Sequence, residues 1–270
     1  CRYQVARQLW ADASKDPARK DALEMQAREA FGKAEEGLRA CLERSRQGSA
    51  DTAVASRRRD AANEAAFRLA SVLTHDAVKR YAEALPILDE VEQANTDRPE
   101  VLGKAKGYRV DALVCIAGND PAGLSKAEEA LDDLIASSPD SPHIGISLRR
   151  VGRAYDLAAA AGDAASKPVL ARKAADRLGA WVEYAMKRGE AVKADDAVLV
   201  VDRLFVQGGE ADLLAALRIA EAVAAGRFGA AARGEDAVAA LVARAQVRLG
   251  RHAEAKEALE RLHEAQPRDF

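Results

Sequence analysis

The chain has 270 residues, 49% hydrophobic but only 4% aromatic, with 41 basic and 43 acidic residues for a formal net charge of −2. Its apolar content is therefore mostly Ala, Leu and Val, which favours closely packed helices, and its mixed charge gives no general pull on nucleic acid or an anionic membrane surface. No stretch approaches the length of a bilayer span, no signal peptide is visible, and no alternating β-branched run suggests a sheet.

The chain begins at Cys1 in place of Met. We read it as a segment of a longer protein. The alternative is a mature bacterial lipoprotein acylated at Cys1, but Arg2 and Tyr3 lead straight into helical sequence with no tether. Cys41 and Cys115 lie in the apolar contexts RACLE and LVCIAG. They read as small core residues, and the three cysteines have neither disulfide nor metal spacing.

Six helical hairpins can be laid out in order. The first pairs Tyr3–Ser14 with Arg19–Arg44, with Asp16 and Pro17 placed to open the second helix. That helix carries Leu23, Ala27, Ala30, Phe31, Ala34, Leu38 and Leu42 on one side. Ser45–Ser56 is small and polar and reads as a mobile loop. The second hairpin runs from about Arg58 to Asn95, with Tyr81, Ala84 and Leu88 in phase. Pro86 should sit in the first turn of its helix or bend it. The third covers Pro99 to Pro139, with Gly118–Gly123 as the turn and Ala127, Leu131 and Leu134 on the packing face.

The fourth hairpin opens with SPDSPHIGISLRRVGRAYDLAAAAG and closes with Ala174, Leu178 and Trp181 in register. The fifth spans about Asp195 to Ala225 and turns at Gly208-Gly209. Gly226–Asp236 is a loop into the last. There, small residues Ala243, Ala245, Ala255 and Ala258 sit among Leu241, Val242, Leu249, Leu259 and Leu262, with a break at Gly250 and a stop at Pro267.

This last unit resembles the tetratricopeptide repeat, a helix–turn–helix of roughly 34 residues. Gly250 takes the family's turn glycine, Ala255 its small second-helix residue and Pro267 its terminal proline. Val151-Gly152-Arg153-Ala154-Tyr155 resembles the family's first-helix core, in a branch found in bacterial envelope proteins. The resemblance implies an all-α, right-handed α-solenoid of about six antiparallel hairpins: one domain over 1–270, with an N-terminal hairpin over 1–44 and five more over 58–267. One hairpin cannot bury its own apolar face, so neighbours must stack on it.

Candidate chemistry is sparse. His75-Asp76 lacks the third and fourth ligands that a metal needs, and His143, His252 and His263 are isolated. Arg57-Arg58-Arg59 is followed by Asp60 and Glu64 and reads as a solvated helix start. The glycine turns follow no strand, so no nucleotide-binding loop is expected. Glu128-Glu129 and Asp132-Asp133 read as an outer helix face. No enzyme, cofactor or metal site is expected.

Arg149 and Arg153, and likewise Arg244 and Arg248, are four apart on first helices, so each pair shares a helix face. In the family the first helices line a groove. The resemblance therefore implies that these four arginines meet an acidic peptide or a terminal carboxylate. The competing reading is salt bridges to neighbouring helices. The expected function is a scaffold that binds a protein or peptide, with no nucleic acid and no direct membrane insertion. The alternatives are a structural spacer in a larger envelope protein, or a regulatory arm of an enzyme domain outside this segment.

Overall fold

The computed structural model describes residues 2–46, 51–228 and 235–265, with side chains over 237–260 in the last stretch. Among them are twelve α-helices and no strand: α1 (Arg2–Ala13), α2 (Lys20–Ser45), α3 (Thr52–Leu73), α4 (Tyr81–Ala94), α5 (Pro99–Ala117), α6 (Pro121–Ser137), α7 (His143–Ala161), α8 (Lys167–Arg188), α9 (Ala194–Gln207), α10 (Glu210–Ala224), α11 (Glu235–Arg248) and α12 (His252–Ala265). No helix among the described residues is long and apolar enough to cross a membrane. The chain divides into two compact units, Cys1–Ser147 and Leu148–Phe270, with the boundary inside α7.

In the first unit each helix from α1 to α6 packs on the next. Leu23, Ala27, Phe31 and Ala34 form the buried stripe of α2, and Leu38 and Leu42 continue it against the neighbouring cluster. The helix period accounts for this, since residues three and four apart share a face. Leu88 on α4 and Ala127, Leu131 and Leu134 on α6 are fully buried, in the expected phase. Pro86 lies inside α4, beyond its first turn. It thereby withholds the helical donor from the carbonyl of Ala82.

Two expectations change here. Asp16 and Pro17 precede α2 in a turn, in which the Asp16 carboxylate accepts from the Arg19 amide at 3.3 Å. The Ser45–Ser56 loop is also too long, because α2 runs to Ser45 and α3 starts at Thr52, leaving only 47–50 outside the described residues. The Asp51 carboxylate accepts from the amides of Ala53 (2.8 Å) and Val54 (3.2 Å). A capping aspartate followed by Thr-Ala-Val-Ala starts a helix, although the same small residues read as a loop.

In the second unit Val151 and Tyr155 are wholly buried on α7. A Cβ at Gly152 would come within 2.7 Å of Leu178 Cγ, so the close approach of α7 to α8 requires glycine. Ala174, Leu178 and Trp181 are buried on α8, as the spacing predicts. On α12 Ala255 is buried, but Leu259 is 46% exposed and does not join the stripe. α12 packs chiefly on α11, and one neighbour covers only one flank of a helix. The Leu262 side chain and Pro267 lie outside the described residues, as do Cys1 and most of the Gly226–Asp236 loop.

Within each unit, helices two apart also touch: α3 with α5, α8 with α10, and α9 with α11. Ion pairs accompany this stacking, including Lys104–Glu64 (3.6 Å) between α5 and α3, and Arg172–Asp212 (2.5 Å) between α8 and α10. Asp212 is itself buried, and its contact raises the already high pKa of Arg172.

Candidate functional site

The clearest internal order lies in α7, α9 and α11 of the second unit. α7 buries the doublets Val151-Gly152, Ala154-Tyr155 and Ala158-Ala159, and α9 buries Ala197-Val198, Val200-Val201 and Leu204-Phe205 in the same sequence. α11 follows the pattern in part: Val238, Leu241 and Ala245-Gln246 are buried, Ala239 and Val242 are half-buried, and Ala243 is buried as well. The three helices end at Ala161, Gln207 and Arg248. Those ends are about 46 and about 41 residues apart, wider than the roughly 34 of a tetratricopeptide unit.

Two ion pairs join α7 to α9. Arg153 reaches Asp196 at 2.8 Å and Arg203 reaches Asp156 at 3.0 Å. Both pairs advance along the two helices together, so α7 and α9 run in the same sense. Matching the buried doublets leaves three rows of positions off the core: Arg153, Leu199 and Ala240; Leu157, Arg203 and Arg244; Ala160, Val206 and Val247. Four of these are exposed aliphatics: Leu157 at 64%, Leu199 at 38%, Val206 at 76% and Val247 at 46%.

The four arginines singled out by the sequence are all exposed, and each has an anchor. The Arg149 guanidinium lies over the Trp181 ring at 5.4 Å, and Arg153 pairs with Asp196. Arg244 and Arg248 converge on one ring, Phe205, at 5.0 and 6.0 Å. Arg248 Nη1 also donates to the Phe205 carbonyl at 2.5 Å, near the C-terminal end of α9. Each pair thus leans partly on α9, one from α7 and the other from α11. A guanidinium stacked on an aromatic face gains a cation–π contact while its in-plane donors stay available. Arg149, Arg244 and Arg248 have no carboxylate partner among the described residues.

No family model and no curated protein matches the chain. The remaining sequence candidates have structural settings. His75 lies against Phe31 and Trp10, with ring centroids 4.3 and 5.9 Å away, and its Nδ1 accepts from the Ala77 amide at 3.2 Å. Burial lowers its pKa, against the opposing pull of Asp76. The His143 ring lies tilted against Tyr108, with centroids 6.0 Å apart, and burial lowers its pKa too. Arg59 reaches the Ala94 carbonyl at 2.5 Å and pairs with Asp97. Lys106 pairs with Asp133 at 2.7 Å. Among the described residues, no group of three or more His, Cys, Asp or Glu could hold a metal.

Sequence reasoning found the arginines but missed the aliphatics beside them. Val206 and Leu199 sit in VLVVDRLFVQ, where a nearly continuous apolar run hides the two aliphatic residues that face water. The available signal is the seven-residue interval from Leu199 to Val206, which returns to one face after two turns.

Proposed function

We propose that the protein is an interaction scaffold, and that α7, α9 and α11 present the face that receives a segment of a partner protein or peptide. The observation that carries this reading is the exposure of Leu157, Leu199, Val206 and Val247 beside the arginines of the same helices. Exposed aliphatics clustered within a polar rim mark interaction surfaces. The fitting partner carries aliphatic side chains for these four positions and carboxylates for Arg244 and Arg149.

The architecture in this proposal is a right-handed α-solenoid of about six tetratricopeptide-like hairpins. The stacking of α8 on α10 and of α9 on α11 supports it. The wide helix spacing departs from the family, so the kinship rests on the last hairpin and on Val151–Tyr155. The proposal assigns no reaction to these residues. The spacer reading draws on a specific observation too: Arg153 and Arg203 are both engaged in helix–helix ion pairs.

A photo-crosslinking residue at Val206, introduced in the native host, separates the two. The scaffold reading expects a discrete adduct that disappears when Arg244→Glu is added, with no adduct from the same residue at Val169 on α8. Equal adducts from both positions favour the spacer.

A further inference from the structure

A second feature lies in the first unit. Between α1, α2 and α3 is a cavity of about 300 Å³. Its lining combines the buried Ala34 and the half-buried Tyr3 and Leu38, an apolar floor, with the exposed Gly37, Arg2 of α1, Lys33 of α2 and Arg68 of α3. A Cβ at Gly37 would meet nothing within 4 Å, so no packing contact requires glycine there. Glycine inside a helix is destabilising relative to alanine, and its effect here is to leave that side of the cavity open.

Two of these cations have exposed ion-pair partners. Lys33 pairs with Glu29 at 2.5 Å and Arg68 with Glu64 at 2.7 Å, each one turn away on its own helix and exposed to solvent. Exposed pairs of this kind contribute little, so an incoming anion can replace either partner at small cost. Three positive side chains from three helices around an apolar floor suit an anionic head on an aliphatic body. At roughly 30 Å³ per water-sized group, the space holds about ten non-hydrogen atoms, the carbon chain of a ten-carbon acid, with the two carboxylate oxygens outside among the cations. We propose that this cavity binds a medium-chain aliphatic carboxylate.

The test uses decanoate and decanol as probes of the intact chain, read by calorimetry, with Gly37→Leu and Gly32→Leu as variants. Gly32 lies on the same helix, a Cβ there also meets nothing within 4 Å, and it does not line the cavity. Both variants should fold, which circular dichroism checks. The expected result is saturable decanoate binding that weakens about tenfold in Gly37→Leu, is unchanged in Gly32→Leu, and is about tenfold stronger than for decanol, as expected for a charged hydrogen bond. Equal binding by Gly37→Leu overturns the proposal. So does equal affinity for decanol, or a lack of saturation below the micellar concentration of decanoate.

Discussion

Asn63 on α3 and Asn95, just past the end of α4, grip each other through two amide hydrogen bonds of 2.9 Å. Asn95 is wholly buried and Asn63 nearly so. The Asn95 amide also donates to the Val91 carbonyl at 2.7 Å, and its oxygen accepts from Arg59 Nε at 3.1 Å. One side chain thereby ties the end of α4 to α3 with its polar atoms satisfied. Partial removal is costly, because the groups left behind stay buried without partners.

Asn95→Ala is therefore expected to destabilise the protein by about 2–3 kcal/mol, the sum of a lost hydrogen bond and the groups it leaves unsatisfied. Asn63→Ala should cost about 1–2 kcal/mol. The double variant should cost clearly less than the two together, because the second change removes groups already orphaned. Urea unfolding of the four proteins measures the coupling, and strict additivity would show that the amide pair contributes nothing of its own.

Acid should weaken the protein in a defined direction. His75 and His143 have pKa values lowered by burial. The unfolded chain thus takes up protons near the ordinary value of about 6.5, before the folded chain does. Their contribution is complete above about pH 6.5 and is lost as pH falls toward the folded values. The melting temperature should drop between pH 7.5 and 5.5, and proton NMR should show His75 titrating below its ordinary value. Titration of both rings at or above that value would contradict the burial assigned to them.

The last hairpin gives a paired comparison. Ala255 is 2% exposed, whereas Ala253 is exposed to solvent. Ala255→Leu should lower stability by about 1–3 kcal/mol through overpacking, and Ala253→Leu should be near neutral. Matching melting temperatures would mean that α12 is not seated on α11 through Ala255.

Gly208 and Gly250 both adopt φ +75°, but only Gly208 has a neighbour to displace: a Cβ there would lie 2.9 Å from Arg248 Nη2. Each glycine-to-alanine change carries the cost of a left-handed backbone, roughly 1–2 kcal/mol. Gly208→Ala should cost about 1 kcal/mol more, by dislodging Arg248 from the Phe205 carbonyl. That excess should vanish in an Arg248→Ala background, and its persistence would assign the cost elsewhere.

Much of the helical packing was legible because burial follows the helix period. Ala127, Leu131 and Leu134, and Val151, Gly152 and Tyr155, carry that period without ambiguity. The start of α3 was hidden because Asp51 and the small residues after it suit a loop as well as a capped helix. Leu259 was misplaced because periodicity shows which residues share a face, without showing whether a neighbour covers it. In the candidate site, the spacing of Arg149 and Arg153 and of Arg244 and Arg248 was readable. Their anchors were not, since Trp181, Asp196 and Phe205 are distant in sequence and come near only through stacking.

The most direct test of the scaffold assignment is selection of a random-peptide display library on the purified chain, followed by binding of the enriched peptides to Val206→Asp, Arg244→Glu and the control Val169→Asp. The account predicts enriched peptides that combine acidic and aliphatic residues, lose about tenfold or more in affinity for the first two variants, and bind the control as they bind the unaltered protein. Failure to enrich any sequence, or equal affinity for Val206→Asp, would contradict it.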